Sequence, residues 1–317
     1  MAPLRTALTV ASTSIDDVFT GNVDGDWAGP RAPNGGYVLG LIIQSCVERQ
    51  ASGEQRDPIH VTAHFLQPST IAPFRVEIRV LKSGRRFTNL LASLVQENEI
   101  RITTHIIFGS LAPSGGPGFS SASPYARRHP LHIHPSIASL TRMIPGMRYV
   151  PHVRWAHDPI LRAQNFPNSP ARTNSSTIGG GGVVYGAWFQ LTDPEERITP
   201  AAIAFLADTF INLPMLLPKA ERQGVVPAAS WFPTVTMNIE YKAVPNATHA
   251  ARTVAIFARG TFWGEPNGRH DCHVEIWTAP CELGDKSSPA AENWRDTQIC
   301  IATSTQMALC LSAKPRL

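Results

Sequence analysis

The sequence is short of charge, and the charge that it has is scattered. Only 16% of its 317 residues are Asp, Glu, Lys or Arg, and the net charge of +4 comes without any run of basic residues. Nucleic-acid-binding proteins concentrate Lys and Arg on one surface, so nucleic acid is not expected as a partner. No apolar stretch reaches the ~20 residues that a membrane-spanning helix requires, and we therefore predict no membrane span.

Several signatures of catalytic and metal sites are also missing. The five cysteines include no Cys-x-x-Cys pair, and their odd number favours reduced thiols in an intracellular protein. No serine lies in a Gly-x-Ser-x-Gly motif, which disfavours a hydrolase with a nucleophile elbow. Histidines gather between positions 132 and 157, but their spacing does not match a helical metal pair. We predict neither a metal nor another cofactor.

The two ends of the sequence bear on its location. The N-terminal residues show no long apolar core followed by a cleavage site, so secretion is not expected. The C-terminal Pro315-Arg316-Leu317 resembles a peroxisomal tail, except that proline replaces the usual small residue. We predict a cytoplasmic protein, with a peroxisomal location as the alternative.

The first half of the sequence combines one apolar helix with four strands. Gly35 and Gly36 open a helical pattern over 34–50, which is apolar on nearly all sides and is therefore predicted to be buried. Alternating apolar and polar residues predict the strands 60–66, 74–81, 87–95 and 101–108. This half is predicted to be an antiparallel sheet packed on its helix.

The second half repeats this order with different residues and one more strand in front. Thr199 and Pro200 predict a helix start, and the helix is expected to run to about Leu213. The predicted strands are 183–191, 234–241, 253–263, 272–277 and 298–311. The repeat lies in the architecture rather than in the residues.

The stretch between the halves, 110–177, is rich in Pro, Gly and Ser. Such a composition predicts a linker with little regular structure. We therefore divide the sequence into an N-terminal module, 1–109, this linker, and a C-terminal module, 178–317. The apolar face of each sheet is only partly covered by one helix, so the two sheets are expected to join into one.

Short motifs in the first half resemble those of the thioesterase-like superfamily of double hotdog proteins. They are Gly29-Pro30, Asn34-Gly-Gly-Tyr37, His64-Phe-Leu-Gln-Pro68 and Arg85-Arg86. The second half is similar to the type II acyl-CoA thioesterases. The resemblance implies an α+β fold, the double hotdog, in which two antiparallel sheets each wrap around a central helix. It also implies hydrolysis of an acyl-CoA or acyl-carrier-protein thioester, and a homo-oligomer, because family members commonly self-associate.

The resemblance places the catalytic Asp, Thr and Gln of the family on Asp208, Thr234 and Gln306. Asp208 lies in an apolar run, where a carboxylate either has partners or has a raised pKa. In the implied mechanism Asp208 is the general base toward water, and the other two side chains hold that water or the carboxylate. The structural alternatives are a helix cap for Asp208, β packing for Thr234 and a partnered buried amide for Gln306.

The helix start at Gly35, Gly36 and Tyr37 is the candidate oxyanion site. Backbone N–H groups at a helix N-terminus favour an anion, and glycine allows its close approach. Close packing of the helix is the alternative role of these glycines. Trp27 is a candidate for lining the acyl pocket, and ordinary packing is its alternative.

Three functions stay open on these residues. The first is a thioester hydrolase acting on acyl-CoA, or on an acyl or polyketide chain held by a carrier protein. The second is a tailoring enzyme of the same fold, such as a dehydratase, an isomerase or a cyclase, with Asp208 as a base toward carbon. The third is a noncatalytic acyl-binding protein. Retention of the three polar residues at matching positions favours catalysis.

Overall fold

The computed structural model describes residues 2–29, 31–112, 118, 123–141, 147–172, 181–222, 225, 230–264, 266–288 and 290–312. Pro30 of the Gly-Pro motif, the predicted end of the linker at 173–177 and the C-terminal Pro-Arg-Leu tail lie outside the described residues. Within the described part, no helix is long and apolar enough to cross a membrane.

The first half is a curved sheet on one long helix. Its helices are α1 (Leu4–Ala7) and α2 (Gly35–Gln50), and its strands are β1 (Ala11–Ser12), β2 (Val18–Asn22), β3 (Asp57–Phe65), β4 (Pro73–Ser83), β5 (Thr88–Gln96) and β6 (Glu99–Gly109). The predicted helix and four strands are confirmed to within a few residues. The sequence missed β2, which is short and buries only Phe19, so no alternating pattern marks it.

The second half has the same order of elements. Its helices are α3 (Pro159–Asn165) and α4 (Pro200–Ala207), and its strands are β7 (Val153–His157), β8 (Val183–Leu191), β9 (Ser230–Trp231), β10 (Thr234–Tyr241), β11 (Thr253–Gly260), β12 (Trp263–Gly264), β13 (Arg269–Thr278), β14 (Cys300–Ala308) and β15 (Leu311–Ser312). The strands β8 and β10 begin and end where the sequence predicted them.

One continuous sheet joins the two halves, as predicted. Among the described residues thirteen strands form it, in the order β1-β2-β4-β5-β6-β3-β10-β14-β13-β11-β8-β7, with β12 attached to β13. The halves meet where β3 pairs with β10 in antiparallel register, with Val61 opposite Ile239. Each half therefore contributes six strands in the same order, read outward from this junction in opposite directions.

Residues 153–165 lie in the predicted linker, and there the expectation of little regular structure is wrong. The strand β7 pairs antiparallel with β8, with Trp155 opposite Phe189. The helix α3 follows at once, because the Asp158 side chain caps its first turn and Pro159 occupies a position that needs no N–H donor. The high proline content favoured a linker, although Pro159 is at a helix position that tolerates proline.

The helices α2 and α4 pack side by side beneath the sheet in antiparallel directions. An added Cβ at Gly40 would lie 2.8 Å from the carbonyl oxygen of Ala201, and one at Gly36 would overlap the carbonyl oxygen of Ala204. These two glycines are one turn apart, so they bring the two helix backbones into direct contact. One role of Gly36 is therefore to allow close packing of α2 against α4.

Candidate active site

The site is built around the end of α4. The helix begins at the predicted cap, Thr199, whose side chain accepts from the N–H of Ala202, but it ends at Ala207 and not at Leu213. All its residues after Pro200 are buried, so the helix has no polar face. The apolar sequence therefore gives no sign of where the helix ends. Asp208 is thus the C-terminal cap residue rather than part of the helix.

The Asp208 carboxylate lies between the start of α2 and the start of β10. Its Oδ2 accepts a hydrogen bond of 2.9 Å from the Gly36 N–H, 172 positions away in the chain. Its Oδ1 accepts a 3.3 Å hydrogen bond from the Thr234 hydroxyl. Gly36 and Asp208 are thus in direct contact, and the site combines both halves of the chain.

Gln306 reaches the site through the last carbonyl of α4. It lies on β14, where it is opposite Met237 of β10 and Cys272 of β13. Its Nε2 donates a 2.7 Å hydrogen bond to the Ala207 carbonyl oxygen, and its side chain is buried. Thr234 therefore contacts the Asp208 carboxylate directly, whereas Gln306 binds the peptide group that precedes it.

Asn34 links the two helix ends, a role that sequence reasoning did not assign. Its Oδ1 caps α2 by accepting from the Tyr37 N–H at 2.9 Å, and its Nδ2 lies 3.5 Å from the Asp208 carbonyl oxygen as a donor. Asparagine is among the preferred N-cap residues, which is the one signal in the sequence that could have identified it. By binding both segments, Asn34 helps to set the position of the Gly36 N–H relative to the Asp208 carboxylate.

Burial raises the pKa of Asp208 to about 6, from its ordinary value of 3.8. The Gly36 N–H, the Thr234 hydroxyl and the Gly35 N–H oppose this rise, because each stabilises the charged carboxylate. The positive end of the α2 dipole acts in the same direction. Asp208 is therefore mostly ionised at neutral pH, yet basic enough to accept a proton from water.

The contacts of Trp27 favour packing over an acyl-pocket role. Its ring is completely buried, and its indole N–H donates to the Ala2 carbonyl oxygen at 3.1 Å. It stacks on Tyr149 and on His152, with ring centroids 6.1 and 5.2 Å away, and meets Phe205 of α4 edge-on. This aromatic group fixes the loop before α2 against α4.

The side chain of Tyr37 is also a structural anchor. It is fully buried, its hydroxyl donates to the Ala7 carbonyl oxygen at 2.9 Å, and it accepts from the Asp24 N–H. Its backbone N–H is occupied by Asn34. Of the predicted oxyanion donors, Gly35 and Gly36 are therefore the ones that face the carboxylate.

Cys272 is a neighbour of the site that carried no signal in the sequence. Burial, together with the negative charges of Asp271 and Asp208, raises the pKa of its thiol to about 12. A thiol that stays protonated is a poor nucleophile, so Cys272 packs beside Gln306 rather than competing with Asp208.

The clustered histidines are held in separate places. His132 bonds the Asp158 carboxylate, and His134 bonds the Ser136 hydroxyl. The described part of the chain contains no group of three potential metal ligands.

The site occurs at one of two related positions. Asp208 lies nine residues after the α4 cap, Thr199, and the residue nine after the α2 cap, Asn34, is Ile43. Ile43 is fully buried and its side chain has no polar atom. Of these two related positions, only that of Asp208 therefore carries a carboxylate.

Comparisons with solved structures support the fold. A candidate thioesterase II from Thermobifida fusca YX is 20% identical over 97% of each chain, with a TM-score of 0.69. A conserved protein with the hotdog fold from Alicyclobacillus acidocaldarius is 17% identical, covering 99% of this chain and 98% of its own, with a TM-score of 0.66. Acyl-CoA thioesterase II TesB2 from Mycobacterium marinum is 15% identical over 98% of each chain, with a TM-score of 0.65. A comparison with curated protein sequences finds no match.

Family models match both halves of the chain. The acyl-CoA thioesterase N-terminal domain matches residues 23–109, and the acyl-CoA thioesterase C-terminal domain matches residues 148–280. Together they cover more than half of the chain, and their order agrees with the two hotdog modules seen in the sheet. The chain is a double hotdog thioester hydrolase that belongs to the acyl-CoA thioesterase family.

Proposed function

We propose that this enzyme hydrolyses acyl thioesters with Asp208 as its general base, on an acyl chain carried by CoA or by a carrier protein. The observation that carries the proposal is the Asp208 carboxylate, held between the Gly36 N–H and the Thr234 hydroxyl with a pKa near 6. A buried carboxylate beside a helix N-terminus and a hydroxyl has the donors and the basicity that water activation needs. The division into modules 1–109 and 178–317 also stays a proposal, with β7 of the stretch between them paired to β8 of the second module.

Water attack begins at Asp208. The carboxylate takes one proton from water as the water oxygen bonds to the thioester carbonyl carbon. Thr234 holds the carboxylate through its hydroxyl, and Gln306 is anchored at Nε2, which leaves its Oε1 to accept from the same water. The resulting tetrahedral intermediate collapses with loss of the thiolate. Asp208 returns its proton to that sulfur, and the products are a carboxylic acid and a free thiol.

The start of α2 can stabilise negative charge first on Asp208 and then on the thioester oxygen. In the free enzyme the Gly36 N–H donates to the ionised Asp208. Once Asp208 has accepted a proton, the negative charge lies on the thioester oxygen instead. The N–H groups of Gly35 and Gly36 and the α2 dipole can then stabilise that oxyanion, because protonation weakens their bond to the carboxylate.

Release of free thiol is the direct test. The purified protein is incubated with a series of acyl-CoA thioesters, and the CoA thiol is followed with a thiol reagent. A hydrolase releases one thiol for each thioester consumed. A dehydratase, an isomerase or a cyclase would change the acyl chain and leave the thioester intact, and that result would overturn the proposal.

Gln306→Ala and Thr234→Ala are expected to lower kcat more than they raise KM. Both side chains position water or the base and do not hold the acyl chain. Their removal should therefore destabilise the transition state more than it weakens substrate binding. Steady-state kinetics of both variants check this. A rise in KM with unchanged kcat would assign the residue to substrate binding instead.

The pH dependence of kcat/KM should show an acid limb at about the pKa of Asp208, near pH 6. Below that pH the carboxylate is protonated and cannot act as a base, so the rate should fall about tenfold per pH unit. Thr234→Val removes a hydrogen bond that lowers this pKa, so its limb should move to higher pH. A limb that stays in place in the valine variant would show that another group controls the profile.

A further inference from the structure

A cleft of about 890 Å³, the α3 cleft, lies against the edge strand β7 of the second half. One wall is the segment 139–141, where the Thr141 N–H donates to the Trp155 carbonyl oxygen. The other wall is the helix α3 with the residues that follow it up to Ser169. A volume of this size is usual for a small-molecule site.

The α3 cleft is separate from the catalytic site. In the sheet, four strands lie between β10, which carries Thr234, and β7, which carries His157 of the cleft. Five strand spacings therefore separate β10 from β7, which is about 24 Å along the sheet. The catalytic chemistry proposed above gives the α3 cleft no part, so a role for it must be sought in its own residues.

One guanidinium group, that of Arg162, is held at the α3 cleft without a counter-ion. Its Cζ lies 5.2 Å from the centroid of the Phe166 ring, in a cation–π contact. None of the salt bridges among the described residues involves Arg162. Asp158, one turn earlier, is fully buried and is occupied by the α3 cap and by His132. A planar guanidinium without a partner suits a carboxylate.

His157 supplies a second polar group. Its Nδ1 is buried and has no hydrogen-bond partner among the described residues, so the ring meets the cleft along the edge that carries Nε2. Burial and the nearby charge of Arg162 lower the pKa of His157 to about 4, so the imidazole is neutral at pH 7 and has a single N–H. A buried N–H without a partner is costly, which places this proton on Nε2 and offers a donor to the cleft.

The rest of the lining is uncharged and largely apolar. The apolar residues among the described lining are Leu140, Pro159, Ala163, Phe166 and Pro167. Leu140 is 60% exposed, so a large apolar side chain stands open to solvent here. An apolar chain laid against these side chains would remove their surface from water. Two donors and an apolar lining together are complementary to a carboxylate that carries an apolar tail.

We propose that the α3 cleft is a second binding site, apart from the catalytic one, for a monocarboxylate with an apolar tail. The carboxylate accepts hydrogen bonds from the Arg162 guanidinium and from His157 Nε2, and the tail lies against Leu140 and Phe166. A free carboxylic acid is also what the proposed hydrolysis releases. The source of the ligand therefore rests on the proposed function, whereas its binding does not.

Isothermal titration with octanoate tests this site. Arg162→Gln should weaken binding at least about tenfold, as expected when one charge-assisted hydrogen bond is lost. Arg154→Gln removes an exposed arginine of β7 that is not among the described lining residues, and this matched control should bind octanoate as wild type does. Acetate has the charge without the tail, and octan-1-ol has the tail without the charge. Both should bind at least about tenfold more weakly than octanoate.

The place of binding is measured separately, because the catalytic site would also hold octanoate as a product. An octanoate that carries a diazirine is cross-linked by light, and the labelled peptides are mapped. In wild type the label should fall within 139–141 or 157–169. Ala163→Trp fills the cleft with a ring and keeps Arg162, so it should abolish this labelling, and it keeps the test valid if Arg162→Gln misfolds.

The outcomes distinguish the two proposals. If wild type releases no thiol from acyl-CoA but octanoate labels the α3 cleft, the proposed function fails and this site stands. If wild type hydrolyses acyl-CoA and the label is confined to peptides around Asp208 and Thr234, the function stands and the site is refuted. Unchanged octanoate affinity in Arg162→Gln, or octan-1-ol binding as tightly as octanoate, would also refute it.

Discussion

Asp208→Asn is expected to lower the rate of thioester hydrolysis by ~10²–10⁴-fold, the usual loss when a general base is removed. The amide keeps the shape of the carboxylate, and its oxygen can still accept from the Gly36 N–H. Its NH2 group then faces Thr234, whose hydroxyl can turn and accept instead of donating. The contacts survive while the basicity is lost.

Thermal melting provides the control for this variant. Because the pKa of Asp208 is raised in the folded state, its protonated form favours folding, and this contribution is lost as the pH rises through about 6. Asparagine does not titrate, so the variant lacks this pH-dependent contribution to stability. The Tm of the variant minus the Tm of wild type should therefore increase between pH 4 and pH 7. Asp16→Asn, at an exposed position, is the control: its activity should equal that of wild type, and its Tm should follow that of wild type over the same pH range. A folded Asp208→Asn variant with near-normal activity would remove Asp208 from the mechanism.

The sequence predicted the long strands well, although not all of them by alternation. The strands β8 and β10 were placed to the residue: β10 alternates toward its C-terminal end, whereas β8 is a nearly continuous buried apolar run. The short strands β2 and β7 were missed, since neither shows such a pattern and β7 lies in a proline-rich stretch. Their pairing is decided by the neighbouring strand rather than by local propensity.

The candidate site residues could be named from the sequence, whereas their contacts could not. The resemblance to the family placed Asp208, Thr234 and Gln306, and the structure brings them to one place. The end of α4 at Ala207 could not be predicted, because an entirely buried helix has no polar face that would mark its limit. That early end directs the carboxylate to the Gly36 N–H, a hydrogen bond that the sequence did not predict.

Substitution of Gly36 tests the helix contact and the site together. Even a single Cβ at this position would lie against the Ala204 carbonyl oxygen and 2.6 Å from Asp208 Cβ. Gly36→Ala must therefore push α2 away from α4. Overpacking of this kind typically costs about 1–3 kcal/mol of unfolding free energy. The same displacement lengthens the hydrogen bond from the Gly36 N–H to the carboxylate.

Gly40→Ala separates these two effects. Its Cβ would strain the same helix pair one turn away, at 2.8 Å from the Ala201 carbonyl oxygen, without touching Asp208. Both variants should melt below wild type, but Gly36→Ala should lose more kcat and should move the acid limb of kcat/KM to higher pH, because the carboxylate loses its principal donor. Chemical denaturation and pH–rate profiles of the pair measure this. Equal kcat and equal acid limbs in two equally destabilised variants would show that the Gly36 N–H does not act on Asp208, and the oxyanion donor would then have to lie elsewhere.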